Sequence, residues 1–135
     1  MSRILVPIPV GELVDKLTIL EIKSERIAEP AKLANIRREL SLLNQTWQDS
    51  GLAERGINAQ RSELKRINET LWQIEDAIRR KEAAGVFDEQ FIELARSVYI
   101  QNDRRAAVKR AINTRLGSAL IEEKSYPDYR PPDVN

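Results

Sequence analysis

Apolar residues recur at helical spacing along most of the chain. Two long segments carry them at alternating intervals of three and four residues, which is the spacing of one helix face. In the first segment these residues are Leu33, Ile36, Leu40, Leu43 and Trp47. In the second they are Ile57, Leu64, Ile67, Leu71, Ile74 and Ile78, with Gln60 in the one polar position. Such heptad-like stripes are typical of packed helices, so we predict that these two segments form an antiparallel helical hairpin or coiled coil.

Proline and glycine positions predict where the helices end. No proline occurs within residues 31–126, and proline costs about 3 kcal/mol inside a helix, so this span permits long helices. Glycine favours turns and the residue just after a helix. The glycines at the predicted breaks are Gly51, Gly56, Gly85 and Gly117.

Two further helices complete the pattern. A first helix is predicted to open at Gly11 and to run to about Ala28, with leucines on one face. A fourth is predicted to begin after Asp88, a good N-cap residue, and to end before Gly117. Phe87 and Ile92 have the spacing of a hydrophobic staple around that cap.

The two ends of the chain differ from its helical middle. Residues 3–10 are apolar but contain Pro7 and Pro9, which confine them to an edge strand or an extended arm. The last residues are rich in proline, tyrosine and aspartate, which predicts an extended or disordered tail. We therefore predict a mainly α fold: a helical hairpin or bundle in a single domain of residues 1–126. A short extended or β N-terminal arm precedes the bundle, and a flexible tail of residues 127–135 follows it.

Composition removes several kinds of chemistry. The 135 residues include no cysteine and no histidine, so disulfides, thiolate catalysis, cysteine-bound metals and the usual general base are excluded. The net charge of +1 gives no overall case for binding nucleic acid or an anionic membrane. No segment has the length of a membrane span, and the N-terminus lacks a signal-peptide cleavage pattern. We expect a cytoplasmic protein without a cofactor, and a non-enzymatic role is favoured.

Several strings of the sequence resemble a family of bacterial proteins of unknown function. They are VPIPVGELVDKLTILEIKSERI, KLANIRREL, LWQIEDAIRRKE, ARSVYIQNDRRAAVKRAIN and GSALIEEKSY, and together they cover about residues 4–126. The resemblance implies a stand-alone bacterial cytoplasmic domain. It implies no activity and no catalytic residues.

Two charged clusters are candidate anion-binding sites. Lys16 lies near the start of the first helix, where free backbone N–H groups can face an anion, although a solvated pair with Glu12 is the simpler interpretation. On the fourth helix, Asn102, Arg105 and Lys109 share one stripe that continues the apolar face from Val98. This polar break indicates a buried pairing network, a carboxylate or phosphate site, or a solvated surface.

Two aromatic residues are candidate interface residues. Trp72 lies one position away from the apolar stripe of its helix, so it packs inside the monomer or anchors a partner. Tyr126 lies among prolines in the tail, which can dock as an extended peptide or stay free. Glu122, Glu123 and Asp128 do not have the spacing of a metal site, and none is predicted.

Three functions compete. The first is a helical interaction or assembly module, most simply a homodimer, because apolar residues outside the stripes need a second surface. The second is a small all-α enzyme or anion-binding protein that uses arginine and lysine electrostatics, comparable in class to chorismate mutase. The third is a weak nucleic-acid binder that uses the basic part of the fourth helix, and the near-neutral net charge argues against it. The first is favoured.

Overall fold

The computed structural model describes residues 2–130 and contains four α-helices. They are α1 (Val10–Arg26), α2 (Pro30–Asp49), α3 (Asn58–Ala84) and α4 (Glu89–Leu116). The all-α prediction is confirmed. The N-terminal arm, residues 2–9, is extended and pairs with no strand of the described chain. The predicted tail begins at Pro127, and its residues 131–135 lie outside the described part.

The central helix of the bundle is α1, which packs against each of the other three helices. The helices α3 and α4 form a hairpin across the short loop at Gly85. The prediction that α2 and α3 form the hairpin is wrong, because the backbone of α2 runs close to α1 and does not come close to that of α3. A stripe of apolar residues shows that a helix buries one face but does not identify the helix that covers it. Here the covering helix for α2 is α1.

The core gathers apolar side chains from all four helices and from the loop before α3. As the stripe of the second apolar segment predicts, Ile67 and Ile74 are buried. Trp47 anchors the C-terminal end of α2 in the core. The buried core cluster consists of Val14, Leu17, Trp47, Ile57, Leu64, Ile67, Val108, Ile112 and Leu116.

The N-terminus of α1 is held by the C-terminal end of α4. Pro9 precedes α1 and supplies no side-chain cap. Instead, the Val10 N–H donates to Ser118 Oγ at 3.1 Å, and the Gly11 N–H donates to Asn113 Oδ1 at 2.6 Å. These bonds satisfy two of the four N–H groups that a helix start leaves without partners. They also fix the point at which the arm leaves the bundle.

The start of α4 has the cap that the sequence predicts. Asp88 Oδ1 accepts a hydrogen bond from the Phe91 N–H at 3.0 Å, and Lys81 Nζ lies 2.9 Å from Asp88 Oδ2. The bond from Lys81 and the cap bond lower the pKa of Asp88. Phe87 contacts the ring of Phe91 edge to face at 5.2 Å, and both Phe87 and Ile92 are exposed, so the staple stays a prediction.

After α4 the chain runs back along that helix without forming helix or strand. Glu123 pairs with Arg110 at 3.0 Å, and the Tyr129 hydroxyl donates to Asp103 Oδ2 at 2.7 Å. The Tyr129 ring also meets Tyr99 at a centroid distance of 4.7 Å. The described part of the tail is therefore extended and lies on α4.

Within residues 2–130, no helix combines the length and the apolarity needed to cross a bilayer.

We expect Gly11→Ala to destabilise the protein strongly. A Cβ atom at this position would lie 2.4 Å from the Lys109 carbonyl oxygen and 3.0 Å from Asn113 Oδ1, so α1 and α4 would have to separate. Overpacking of this kind costs about 1–3 kcal/mol, and the loss of the two capping bonds adds to it. Urea unfolding followed by circular dichroism measures the change. Gly85→Ala is the control: it meets no atom within 4 Å, so only its left-handed backbone is strained. Equal losses for the two variants would contradict the close approach.

Candidate functional site

The polar break on α4 is built around a buried aspartate of α1. Asp15 has 0% of its surface exposed. Arg105 binds it with two nitrogens: Nε donates to Oδ1 at 3.0 Å, and Nη2 donates to Oδ2. From α3, Asn68 Nδ2 donates to Asp15 Oδ1 at 2.9 Å and to Thr18 Oγ1 at 3.0 Å. One carboxylate therefore links α1, α3 and α4, and a two-point arginine contact fixes its orientation.

Lys109 extends this network toward the tail. Its side chain is only 8% exposed, and its Nζ lies 2.6 Å from Glu12 Oε2 and 3.3 Å from Glu122 Oε1. Asp15 Oδ2 lies further away, at 3.9 Å. The two cations of the network face three carboxylates. The site therefore has no excess positive charge with which to hold an anion.

The network keeps its basic groups charged. The hydrogen bond that Arg105 donates to Asp15 is the main reason that the pKa of Arg105 is raised above its ordinary value. Burial alone would lower the pKa of Lys109, but the bond to Glu12 and the charge of Asp15 outweigh it, so the pKa is raised. A proton donor or acceptor that works near neutral pH needs a pKa near the operating pH. The pKa values of Arg105 and Lys109 are both raised further above neutral pH, so neither group meets this requirement.

Next to this network lies an open groove of about 500 Å³ between α1, α3 and α4. Its floor is apolar, and one end is polar. The apolar side chains are Ile19, Ile22, Leu71, Trp72 and Val98. The polar end consists of Asn68, Asn102 and Arg105, and the charged residues along its rim are Lys23, Glu75, Asp76 and Arg79.

The polar end offers an acceptor that the bundle does not use. Asn68 is 6% exposed, and its Nδ2 makes both of the hydrogen bonds already described. Within residues 2–130, no group donates to Asn68 Oδ1, although the residue lines the groove. This oxygen is not one of the buried atoms left without a partner, so it is accessible to solvent, and an N–H group entering the groove can donate to it in place of water.

The structure brings three of the residues that the sequence singled out to this groove and leaves the others outside it. Asn102, Arg105 and Trp72 line the groove together. Lys109 belongs to the ion network beside the groove rather than to its lining. Lys16 is half exposed, and its Nζ is 4.0 Å from Glu12 Oε1, as expected for a solvated pair.

The tail residues occupy a separate surface. Tyr126 is 73% exposed, and Lys124 Nζ lies 6.0 Å from the centroid of its ring. The three acidic residues that were weighed as metal ligands bind basic residues instead of converging: Glu122 binds Lys109, Glu123 binds Arg110, and Asp128 binds Arg130. In the described chain, no group of three or more acidic side chains is arranged to hold a metal ion.

Sequence reasoning missed the importance of two residues. Neither Asp15 nor Asn68 is among the candidate residues predicted from the sequence. A signal was present, because Asp15 is followed at intervals of three and four by Thr18 and Ile22, both of which are buried. Asn68 likewise stands between Leu64 and Leu71 at helical spacing. A charged or amide residue on an apolar stripe indicates a buried polar pair, but the sequence pattern does not identify the partner residue.

Comparison with protein families identifies the chain. It belongs to the family of unknown function DUF6165, whose model matches residues 4–132. This confirms the resemblance to a family of unknown function drawn from the sequence strings. Comparison with curated proteins and with solved structures gives no significant match.

We expect Arg105→Met to destabilise the bundle by about 3 kcal/mol, because it leaves the fully buried Asp15 without its main partner. This is the low end of the range for buried pairs, since the arginine side chain is 28% exposed. The double variant Asp15→Leu with Arg105→Met should recover much of the loss, because no charge is then stranded. Urea unfolding of the two single variants, Arg105→Met and Asp15→Leu, and of the double variant checks this. A double variant as unstable as the sum of the single variants would contradict the coupling.

We also expect stability to depend on Lys109 at alkaline pH. Its pKa in the folded chain is above the ordinary lysine value of 10.5, so its stabilisation is complete below that value. The stabilisation is then lost as the pH rises through the folded-state pKa. Lys109→Met should therefore be less stable than the unmodified chain near about pH 8, and the gap should narrow in strongly alkaline solution. Urea unfolding across this range measures the difference. A gap independent of pH would show that the lysine charge contributes nothing.

Proposed function

We propose that the protein is a helical interaction module that self-associates, and that the groove between α1, α3 and α4 is the surface where two copies meet. The observation that carries the proposal is the apolar floor around Trp72, which is open to solvent. The cytoplasmic, bacterial setting implied by the sequence resemblance is part of the proposal.

Two residues of the floor belong to the interior, because Ile22 is buried and Leu71 packs against the core cluster, but Trp72 does neither. Trp72 is partly exposed and does not belong to the buried core cluster. Tryptophan is among the residue types most enriched at the energetic centres of interfaces. A large aromatic side chain that the bundle leaves accessible, beside further apolar residues, is what a docking surface requires.

The rim of the groove favours a second copy as the partner. It carries two basic residues, Lys23 and Arg79, and two acidic residues, Glu75 and Asp76. In a twofold dimer the same patch occurs on both subunits, so the patch must complement itself. A rim with both signs of charge meets that condition, whereas a rim of one sign would repel its copy.

The charge pairing in the network weighs against the two alternative functions. An anion-binding site, or an enzyme comparable in class to chorismate mutase, needs cations that are available to the ligand. Arg105 binds Asp15, and Lys109 binds Glu12 and Glu122. A nucleic-acid surface needs the basic stretch of α4 to be free, and Arg110 within it pairs with Glu123. Self-association requires none of these cations.

We expect the chain to sediment as a dimer at micromolar concentration and Trp72→Ala to raise the dimer Kd at least about tenfold. Trp72→Ala should lower the thermal unfolding midpoint of the chain only slightly, because the Trp72 side chain lies outside the core cluster. Sedimentation velocity across a dilution series measures the Kd. Leu42→Ala is the matched control, since Leu42 is an apolar residue of α2, is 43% exposed and lies away from the groove.

Two results would contradict the proposal. One is a monomer whose sedimentation does not depend on concentration. The other is a dimer that Trp72→Ala and Leu42→Ala weaken equally, because the groove would then not be the contact.

A further inference from the structure

The N-terminal arm exposes the most accessible large aliphatic side chains of the described chain. Ile4 is 86% exposed, Leu5 81% and Val6 64%. Single exposed apolar residues are ordinary on a protein surface, but a consecutive run of three is not. The arm therefore has apolar surface that the bundle to which it is attached does not cover.

The backbone of the arm has restricted conformational freedom, which favours docking. Pro7 and Pro9 fix their φ angles near the extended region, so less conformational freedom is lost when the arm binds. The base of the arm is held by the bond from the Val10 N–H to Ser118 Oγ. Eight extended residues reach about 27 Å from that point. The arm is thus a stiff, apolar segment that starts from a fixed position.

We infer that the arm of one copy occupies the groove of a second copy, and that the exchange is reciprocal. This inference rests on the proposed self-association and names the segment that enters the groove. The apolar side chains Ile4, Leu5 and Val6 would cover the floor at Trp72. A backbone N–H group of the arm would donate to Asn68 Oδ1 in place of solvent.

Charge complementarity supports the pairing and suggests its register. Arg3 precedes the apolar residues of the arm, and Asp76 lies on the rim of the groove. Neither residue forms an ion pair within residues 2–130, whereas Glu75 and Arg79 of the same rim pair with each other at 3.0 Å. Arg3 of one copy would pair with the partner's Asp76, and Lys23, the other rim residue without an ion pair in the described chain, would remain solvated.

A second copy fits these features better than an unrelated partner. The chain carries both the exposed segment and the surface that accepts such a segment. A twofold exchange places two arms in two grooves and leaves neither uncovered. The chain's own arm does not fill its own groove, because Leu5 is 81% exposed in the structure.

Disulfide cross-linking between different copies tests the exchange directly, since the chain contains no cysteine of its own. A chain with Leu5→Cys is mixed with a longer, tagged chain with Glu75→Cys and oxidised. The control mixture contains Leu5→Cys and Ser41→Cys, because Ser41 is exposed on α2 and does not line this groove. We expect the mixed cross-link of the first pair to form at least about tenfold faster than that of the control.

A charge exchange provides the second measurement. Arg3→Asp and Asp76→Arg should each raise the dimer Kd, and the variant that carries both should recover most of the loss. Leu5→Asp should weaken the dimer about as much as Trp72→Ala, and the two changes together should weaken it by less than the product of their separate effects. Both residues of the charge exchange are exposed, so the bundle should fold in every variant.

The outcomes separate this inference from the proposed function. A dimer that depends on Trp72 but not on Leu5 or Arg3 would overturn the arm exchange and leave self-association in place. A disulfide that forms only when Leu5→Cys and Glu75→Cys are in the same chain would also overturn the exchange, because the arm would then occupy its own groove. A concentration-independent monomer would overturn both.

Discussion

The buried carboxylate of Asp15 is the constraint around which the bundle is arranged. A fully buried charge is tolerated only when it is paired and hydrogen-bonded, and no single helix supplies enough partners. Arg105 reaches it from α4 and Asn68 reaches it from α3. The three helices must therefore meet in one register, because a shift of a single turn would break the two-point contact with the arginine. Apolar packing brings the helices together, and this pair selects the arrangement.

The same constraint shapes the surface. Arg105 belongs both to the buried pair and to the polar end of the groove, so its guanidinium is held in place before anything binds. Asn68 has a similar double position, since its amide nitrogen serves the interior and its oxygen remains available. The interior network and the groove thus share one layer of residues. A substitution at Arg105 or Asn68 would change both the groove and the stability of the bundle, whereas Trp72 lies outside the core cluster.

The sequence predicts where the helices begin and end, but it does not predict which helices pack against each other. Helix type and breaks follow from local physics: the stripe that contains Ile67 and Ile74, the Asp88 cap and the glycine ends all act within a few residues. The pattern that predicts the buried face of a helix does not identify the helix that covers it. The predicted pairing of α2 with α3 therefore differs from the observed packing of α2 on α1. At the site, the polar break on α4 was visible in the sequence, but its meaning depended on Asp15, which is ninety residues away.

The attachment of α2 to a single neighbour has a consequence for how the molecule fluctuates. Since the backbone of α2 comes close to that of α1 alone and Trp47 anchors its C-terminal end in the core, detaching its N-terminal turns breaks few tertiary contacts. Regions that open without disrupting the rest exchange their amide hydrogens through local events rather than through global unfolding. We therefore expect the early part of α2 to exchange its amide hydrogens sooner than the three helices around Asp15.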